Sequence, residues 1–207
     1  MYKLRAMSER NKFRCAFGML SMYQQHVLPF VEGRIGYEAA WQLQSVWQAG
    51  MAPIRTDLPE HEKYANAHSN WLWVARCSHD FLADLLDRNG VADYKRLLLR
   101  LYKRQHDRPD LIIYRMLKSH ISLSRKWAYG MQWVTPIEIT SRSRQEVSCM
   151  VEICKVLQTP ASQRICRVDC QNVGRVLARE VYHLKRTTNL TNHGCTITLT
   201  PIADQDN

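Results

Sequence analysis

Over the first two-thirds of the chain, apolar residues recur every three or four positions, the spacing of one face of an α-helix. Phe13, Phe17, Leu20, Tyr23 and Val27 follow it, and Ser8 stands where a helix N-cap belongs. Pro29 and the stretch 31–36, with two glycines, predict the end of that helix and a turn. A second helix is predicted over 37–49, with Ala40, Leu43 and Trp47 on one face, Gly50 as its stop and Pro53 beyond. A helix, a short Gly-containing turn and a helix is the plan of a DNA-reading pair. Its outward set would be Tyr37, Glu38, Gln42, Gln44 and Ser45; an ordinary antiparallel pair fits the same pattern.

Asp57, Pro59 and Glu60 form a start signal for a third helix. Its stripe is Trp71, Val74, Cys77, Ser78, Phe81 and Leu85, widened by Trp73 and Leu82, and Asn89-Gly90 predicts its end. Trp71 and Trp73 point in different directions from one helix, so one of them is expected to anchor a protein interface. The segment 92–105 reads as a strongly basic helix: Leu97, Leu98, Leu101 and Tyr102 inward, Lys95, Arg96, Arg100, Lys103 and Arg104 outward. Asp107-Arg108-Pro109-Asp110 caps a last long helix over 111–129, with Ile113, Met116, Leu117, His120, Leu123 and Trp127 on one side. No acid occurs from Leu111 to Ile137, which leaves a face of one sign.

At Gly130 the pattern changes. Residues 132–140 look extended, and Ser143 with Glu146 has the form of a capping box for a short helix ended by Thr159-Pro160. Residues 164–170 alternate like a strand, 173–185 is ambiguous, 196–200 is β-rich, and the tail 203–207 is expected to fray. The expected architecture is therefore mainly α: a helical domain over 1–130, then a small α+β element over 131–207.

Charge adds the first functional indication. Lys and Arg number 29 against 19 acids, a formal net charge of +10, which favours nucleic acid or another anionic surface. Phosphate contacts are expected from Arg96, Arg100, Lys103 and Arg104, and from Arg164, Arg167, Arg175 and Arg179. Hydrophobic residues at 45% and charged residues at 23% describe an ordinary globular chain. No apolar run is long enough to span a membrane and no signal-like segment opens the chain, so a cytoplasmic setting with reduced thiols is expected.

Four of the seven cysteines fall together as C-x4-C-x11-C-x3-C: Cys149, Cys154, Cys166 and Cys170. Two pairs separated by a chain reversal suit a structural zinc ion; small core residues would give the same spacing. Cys195 with His193 could replace one ligand, while Cys15 and Cys77 lie on apolar helical stripes. Enzymatic signatures are missing: there is no H-E-x-x-H, no phosphate-binding Gly-rich loop and no G-x-S-x-G. His68 and His120 read as core histidines of amphipathic helices.

The segment from Glu38 to Val134 resembles the FlhC-like transcriptional activator subunits. The similarity is carried by Ala40-Trp41-Gln42-Leu43-Gln44-Ser45-Val46-Trp47, Leu58-Pro59, His68-Ser69-Asn70-Trp71-Leu72-Trp73 and Cys77. Gly90-Val91 with Leu98, Tyr102 and Lys103, then Arg125-Lys126-Trp127 and Gly130-Met131-Gln132, complete it. The cysteine-containing stretch from Ile165 to Gln171, with Arg175 and Arg179 after it, is similar to that family's second zinc knuckle and basic tail. The family's knuckles are tighter than these spacings, and nothing in it corresponds to the chain from Val181 onward. The resemblance implies an activator subunit that pairs with a small FlhD-like protein, binds double-stranded promoter DNA of a mobile element or flagellar-type regulon, and recruits RNA polymerase. The rival expectation is a nucleic-acid-binding accessory protein or nuclease of a mobile element.

Overall fold

The computed structural model describes residues 4–106, 109–157 and 163–202. The chain is mainly helical with a small antiparallel sheet at its C-terminal end. Six helices come first: α1 (Glu9–Arg34), α2 (Tyr37–Gly50), α3 (Glu60–Ala83), α4 (Arg88–His106), α5 (Asp110–Met116) and α6 (His120–Met131). Then follow β1 (Glu138–Arg142), β2 (Val147–Val151), α7 (Gln163–Ile165), a π-helical stretch Cys166–Val173, α8 (Gly174–Tyr182), β3 (Leu184–Leu190) and β4 (Cys195–Pro201). The strand order is β1-β2-β4-β3. No described helix is long and apolar enough to cross a membrane.

Ser8 caps α1, its hydroxyl accepting from the Asn11 amide at 3.4 Å. The helix does not stop at Pro29 but runs to Arg34. Proline there removes one backbone bond, yet Tyr23, Val27 and Val31 are fully buried on either side of it. Packing of α1 on α3, α2 and α4 outweighs the lost bond. The connection to α2 is two residues, Ile35-Gly36, shorter than the turn of a DNA-reading helix pair.

The third and fourth helices divide earlier than the sequence predicts. α3 ends at Ala83, and Asn89-Gly90 lies in the first turn of α4. The Asp87 carboxylate accepts from the Gly90 amide at 2.6 Å, so Asp87 caps the new helix. The predicted helix over 111–129 is two helices, broken at Lys118, which holds a left-handed φ of 47°. Only Leu123 and Trp127 of its expected inner face are buried; Ile113, Met116 and Leu117 are exposed because α5 turns away from α6 at the break. Asp107-Arg108, Thr159-Pro160 and the 203–207 tail lie outside the described residues.

Ser143 and Glu146 form a hairpin turn, not a helix start. The Ser143 hydroxyl accepts from the Gln145 and Glu146 amides, and the Ser143 amide donates to the Glu146 carbonyl at 2.7 Å. β1 and β2 pair across it. The predicted strand over 164–170 is also overturned: those residues are helical, most of them in the π stretch. Val147, Cys149 and Val151 of β2, with Ile197 and Leu199 of β4, face inward. α6 crosses all four strands from that side. One apolar core joins helices and sheet, with Trp47, Trp71, Trp127 and Trp133 fully buried in it.

Of the two α3 tryptophans offered as an interface anchor, Trp71 is buried and Trp73 is half-buried. Trp71 is buried against Trp133, the ring centroids 4.8 Å apart. Trp73 lies over the end of α2, donating its indole N–H to the Val46 carbonyl at 3.2 Å, with Arg76 stacked 4.5 Å from its ring. A Cβ at Gly50 would overlap the Trp73 ring, so only glycine lets α2 and α3 approach this closely. Exposed aromatic side chains lie at Phe17 of α1 and at Tyr37 and Trp41 of α2.

Candidate nucleic-acid interface and the cysteine cluster

On α4, Arg96, Arg100, Lys103 and Arg104 succeed one another at helical spacing, opposite the buried Leu97, Leu98 and Leu101. The stripe is flanked by other elements. α1 lies on one side, where Arg104 bonds His26 at 3.1 Å. α8 lies on another, where Lys103 ion-pairs with Glu180. Arg175 and Arg179 are exposed at i, i+4 spacing on α8. The fold thus sets two of the basic groups read from the sequence on neighbouring helices.

Arg34, at the end of α1, was not among the residues expected from the sequence. With Arg96 and Arg100 it lines a shallow hollow of about 520 Å³ between α1 and α4. Asp93 partly offsets these charges: it pairs with Arg96 at 2.7 Å and with Arg34 at 3.6 Å. Arg34 sits beside a turn glycine with no periodic partner, so nothing local links it to α4. Arg164 stands apart from the α4 stripe. It pairs with Asp80 of α3 at 3.4 Å and donates to the His79 carbonyl. Arg167 is exposed on the π stretch.

The π stretch works on two sides. Its Asp169 is buried and accepts from the Tyr23 hydroxyl at 3.3 Å, with His79 Nε2 3.2 Å away; His79 Nδ1 meets the Tyr94 hydroxyl at 3.0 Å. This network ties α1, α3 and α4 to the C-terminal part. Reading the segment as a strand conceals it. Cys166 and Cys170 on the same stretch lie close to residues of the sheet. The Gly174 amide donates to the Asp169 carbonyl, five residues back, the mark of the wider π turn.

Arg186 of β3 is 4% exposed and points to the inward side of the sheet. Its Nη1 donates to the Cys170 carbonyl at 2.5 Å and its guanidinium lies 5.2 Å from the Trp127 ring centre. A Cβ at Gly174 would overlap Nη1, so glycine makes room for the guanidinium. Among the described residues no carboxylate pairs with Arg186, and its buried Nε has no hydrogen-bond partner. Burial pulls its pKa down, while Cys170, Cys195, Cys166 and Cys149 pull it up. Four cysteines therefore act electrostatically on a buried cation, and Cys154 interacts in turn with Cys166, Cys170 and Cys195.

Burial dominates every perturbed thiol here. It raises Cys149 to about 12 and Cys195 to about 11, and Arg186 opposes both. Cys170, although part of the residue remains exposed, is raised well above its ordinary value, first by burial and then by Cys166. Cys154 is raised by burial, with Cys166 adding to it. These thiols are protonated and unreactive near neutral pH. Cys154, Cys166, Cys170 and Cys195 influence one another, whereas Cys149 responds to burial and Arg186 alone. The donor type suits zinc, and Arg186 would offset half of the −2 charge of a zinc tetrathiolate. Yet among the described residues no three His, Cys, Asp or Glu side chains stand close enough to hold a metal ion. Cys15 and Cys77 are half-buried on α1 and α3, away from this cluster.

No protein-family model matches the chain, and neither curated proteins nor solved structures provide a match to it. The functional reading rests on the residues themselves.

Proposed function

We propose that this chain is the DNA-binding subunit of a transcriptional activator of FlhC type, acting in the cytoplasm with a small FlhD-like helical partner to recruit RNA polymerase at promoters. The observation that carries the reading is the arginine and lysine stripe of α4, set between Arg34 of α1 and the arginines of α8 on a chain of net charge +10. The hollow between α1 and α4 is open and lined by three guanidinium groups, a form that suits backbone phosphates. Exposed apolar side chains on α5, namely Ile112, Ile113, Met116 and Leu117, supply a surface for the partner.

Zinc belongs to this proposal as a structural ion. Cys149, Cys154, Cys166 and Cys170, or Cys195 in place of one of them, would have to draw together to hold it, since as placed no three of the described ligands stand close enough. Its role would be to fix the π stretch against the sheet. Elemental analysis of protein purified without chelator tests this: about one zinc per chain is expected, and less than about half would remove the metal from the proposal.

Gel-shift titration on the promoter of the chain's own operon tests the main reading, with a shuffled duplex as control. With six to ten phosphate contacts, affinity is expected to fall by about 10³–10⁵ between roughly 50 and 200 mM salt. Arg96→Glu with Arg100→Glu should weaken binding to all sequences and lower the salt slope by about two. Equal binding to the promoter and the shuffled duplex would reduce the protein to a nonspecific binder. An unchanged salt slope in the double variant would remove α4 from the interface.

A further inference from the structure

A cavity of about 420 Å³ opens where the N-terminal segment, the end of α4, α5, α6 and the end of α8 meet. That is within the size range of small-molecule sites. It lies apart from the α1–α4 hollow and shares no residue with it. Its walls combine cations with aromatic rings: Arg5, Arg125 and Lys126, against Tyr114, Tyr129 and Trp133. Among the described residues no carboxylate lines it. Asp110 answers Lys126 at 2.5 Å, but Arg5 and Arg125 have no ion-pair partner among the described residues. The cavity therefore carries a net positive field beside aromatic rings.

Two of its lining residues each carry an unsatisfied side-chain atom that is itself buried from solvent. The Trp133 indole N–H, on a residue 1% exposed, has no acceptor. The Gln105 side-chain oxygen has no donor, although its amide nitrogen is fixed on the Cys15 carbonyl at 2.8 Å. One further wall is rigid: His106, 4% exposed, meets the Tyr182 hydroxyl at 2.9 Å.

We propose that this cavity binds a small anionic aromatic molecule, a ring bearing a carboxylate or a phosphate. The anion lies toward Arg125 and Arg5. The ring packs on Tyr129 and Tyr114. An aromatic carboxylate and a nucleoside monophosphate share this chemistry, and the experiment separates them.

Isothermal titration of the full-length protein uses four probes: 4-hydroxybenzoate, 4-hydroxybenzamide, AMP and adenosine. One of the two anions is expected to bind with Kd below about 1 mM, at least tenfold tighter than its uncharged analogue. Whichever anion binds names the source. Arg125→Ala changes an exposed side chain and should weaken that anion about tenfold or more. Ser122→Phe fills the cavity from α6 without altering charge and should abolish binding while the circular dichroism stays native. Arg96→Ala with Arg100→Ala should leave binding unchanged, which separates this site from the basic face on α4 and from the DNA-binding proposal. No heat from either anion at about 5 mM overturns the inference, as does equal binding of charged and uncharged analogues. Loss of binding in the α4 double variant with retention in Arg125→Ala overturns it as well.

Discussion

Stability should fall as pH drops from about 6.5 to about 4, and His68 should be a principal cause. The ring is 5% exposed, packed between Tyr64 and Trp71, and its Nε2–H donates to the Val134 carbonyl at 2.9 Å. Burial lowers its pKa to about 4; Lys155 adds to the effect and the hydrogen bond to Val134 opposes it. In the unfolded chain the same group titrates near ~6.5. Between these values the unfolded state binds the proton and the folded state does not. The stabilising contribution is therefore present above the unfolded pKa and is lost as pH falls toward the folded one. Near pH 5.3 the difference is about 0.9 proton, a slope of about 1.2 kcal/mol per pH unit. From about pH 7.5 to about pH 4.5 the loss sums to about 2.5 kcal/mol. Urea unfolding followed by tryptophan fluorescence across that range measures it, in the native protein and in His68→Gln. The variant keeps a donor for the Val134 carbonyl but cannot titrate. Its starting stability should be lower by about 1 kcal/mol, and its pH slope flatter by nearly the whole calculated amount. Carboxylates affect both proteins alike and cancel in the comparison. Identical slopes would show that His68 takes up its proton within the fold, and the burial argument would be wrong.

Other substitutions test separate parts of the architecture. Asp169→Asn removes the buried charge that accepts from Tyr23 and faces His79; a loss of about 3–5 kcal/mol by urea denaturation is expected, and a loss below about 1 kcal/mol would mean that the network is not structural. Gly50→Ala drives a methyl into the Trp73 ring, and a loss of about 1–3 kcal/mol with a red-shifted emission should follow; unchanged emission would contradict the close contact of α2 with α3. Arg186→Met removes an unpaired buried cation and should leave metal-free protein as stable as before, or more so by up to about 4 kcal/mol. Zinc affinity should fall about tenfold or more in the same variant, and an unchanged affinity would separate the cation from the thiols.

Where the sequence pattern was read well, one local signal and the tertiary packing agree. Ser8 caps α1, α2 covers nearly its expected range, the character does change beyond Gly130, and 196–200 lies in β4. The exposed stripe of α4 follows directly from helical spacing. The failures have physical causes of their own. A serine hydroxyl that accepts the amides two and three residues on is common to a capping box and a hairpin turn, so Ser143 could not separate them. Pro29 is a breaker only when packing does not override it. Ile113, Met116 and Leu117 fit a helix stripe, but the left-handed turn at Lys118 gives that stripe a different direction. Residues 164–170 mimic strand alternation because the wide π turn matches no simple helical period. Cys195 and Arg186 arrive at the cysteine cluster only through sheet pairing, which no local pattern carries.

The π stretch also sets the angular phase of everything after it. An α-helix turns each residue by about 100°, and a π turn spends more residues per revolution. Shortening Cys166–Val173 by one residue would return the segment toward α geometry and turn α8 round its axis by about 45°, the difference between eight π residues and seven α residues. Glu180 would leave Lys103, and Arg175 and Arg179 would no longer lie alongside the α4 stripe. The wide turn acts as a rotational spacer: it turns one helix so that Asp169 reaches into the helical block, the cysteines reach the sheet, and the arginines remain in water.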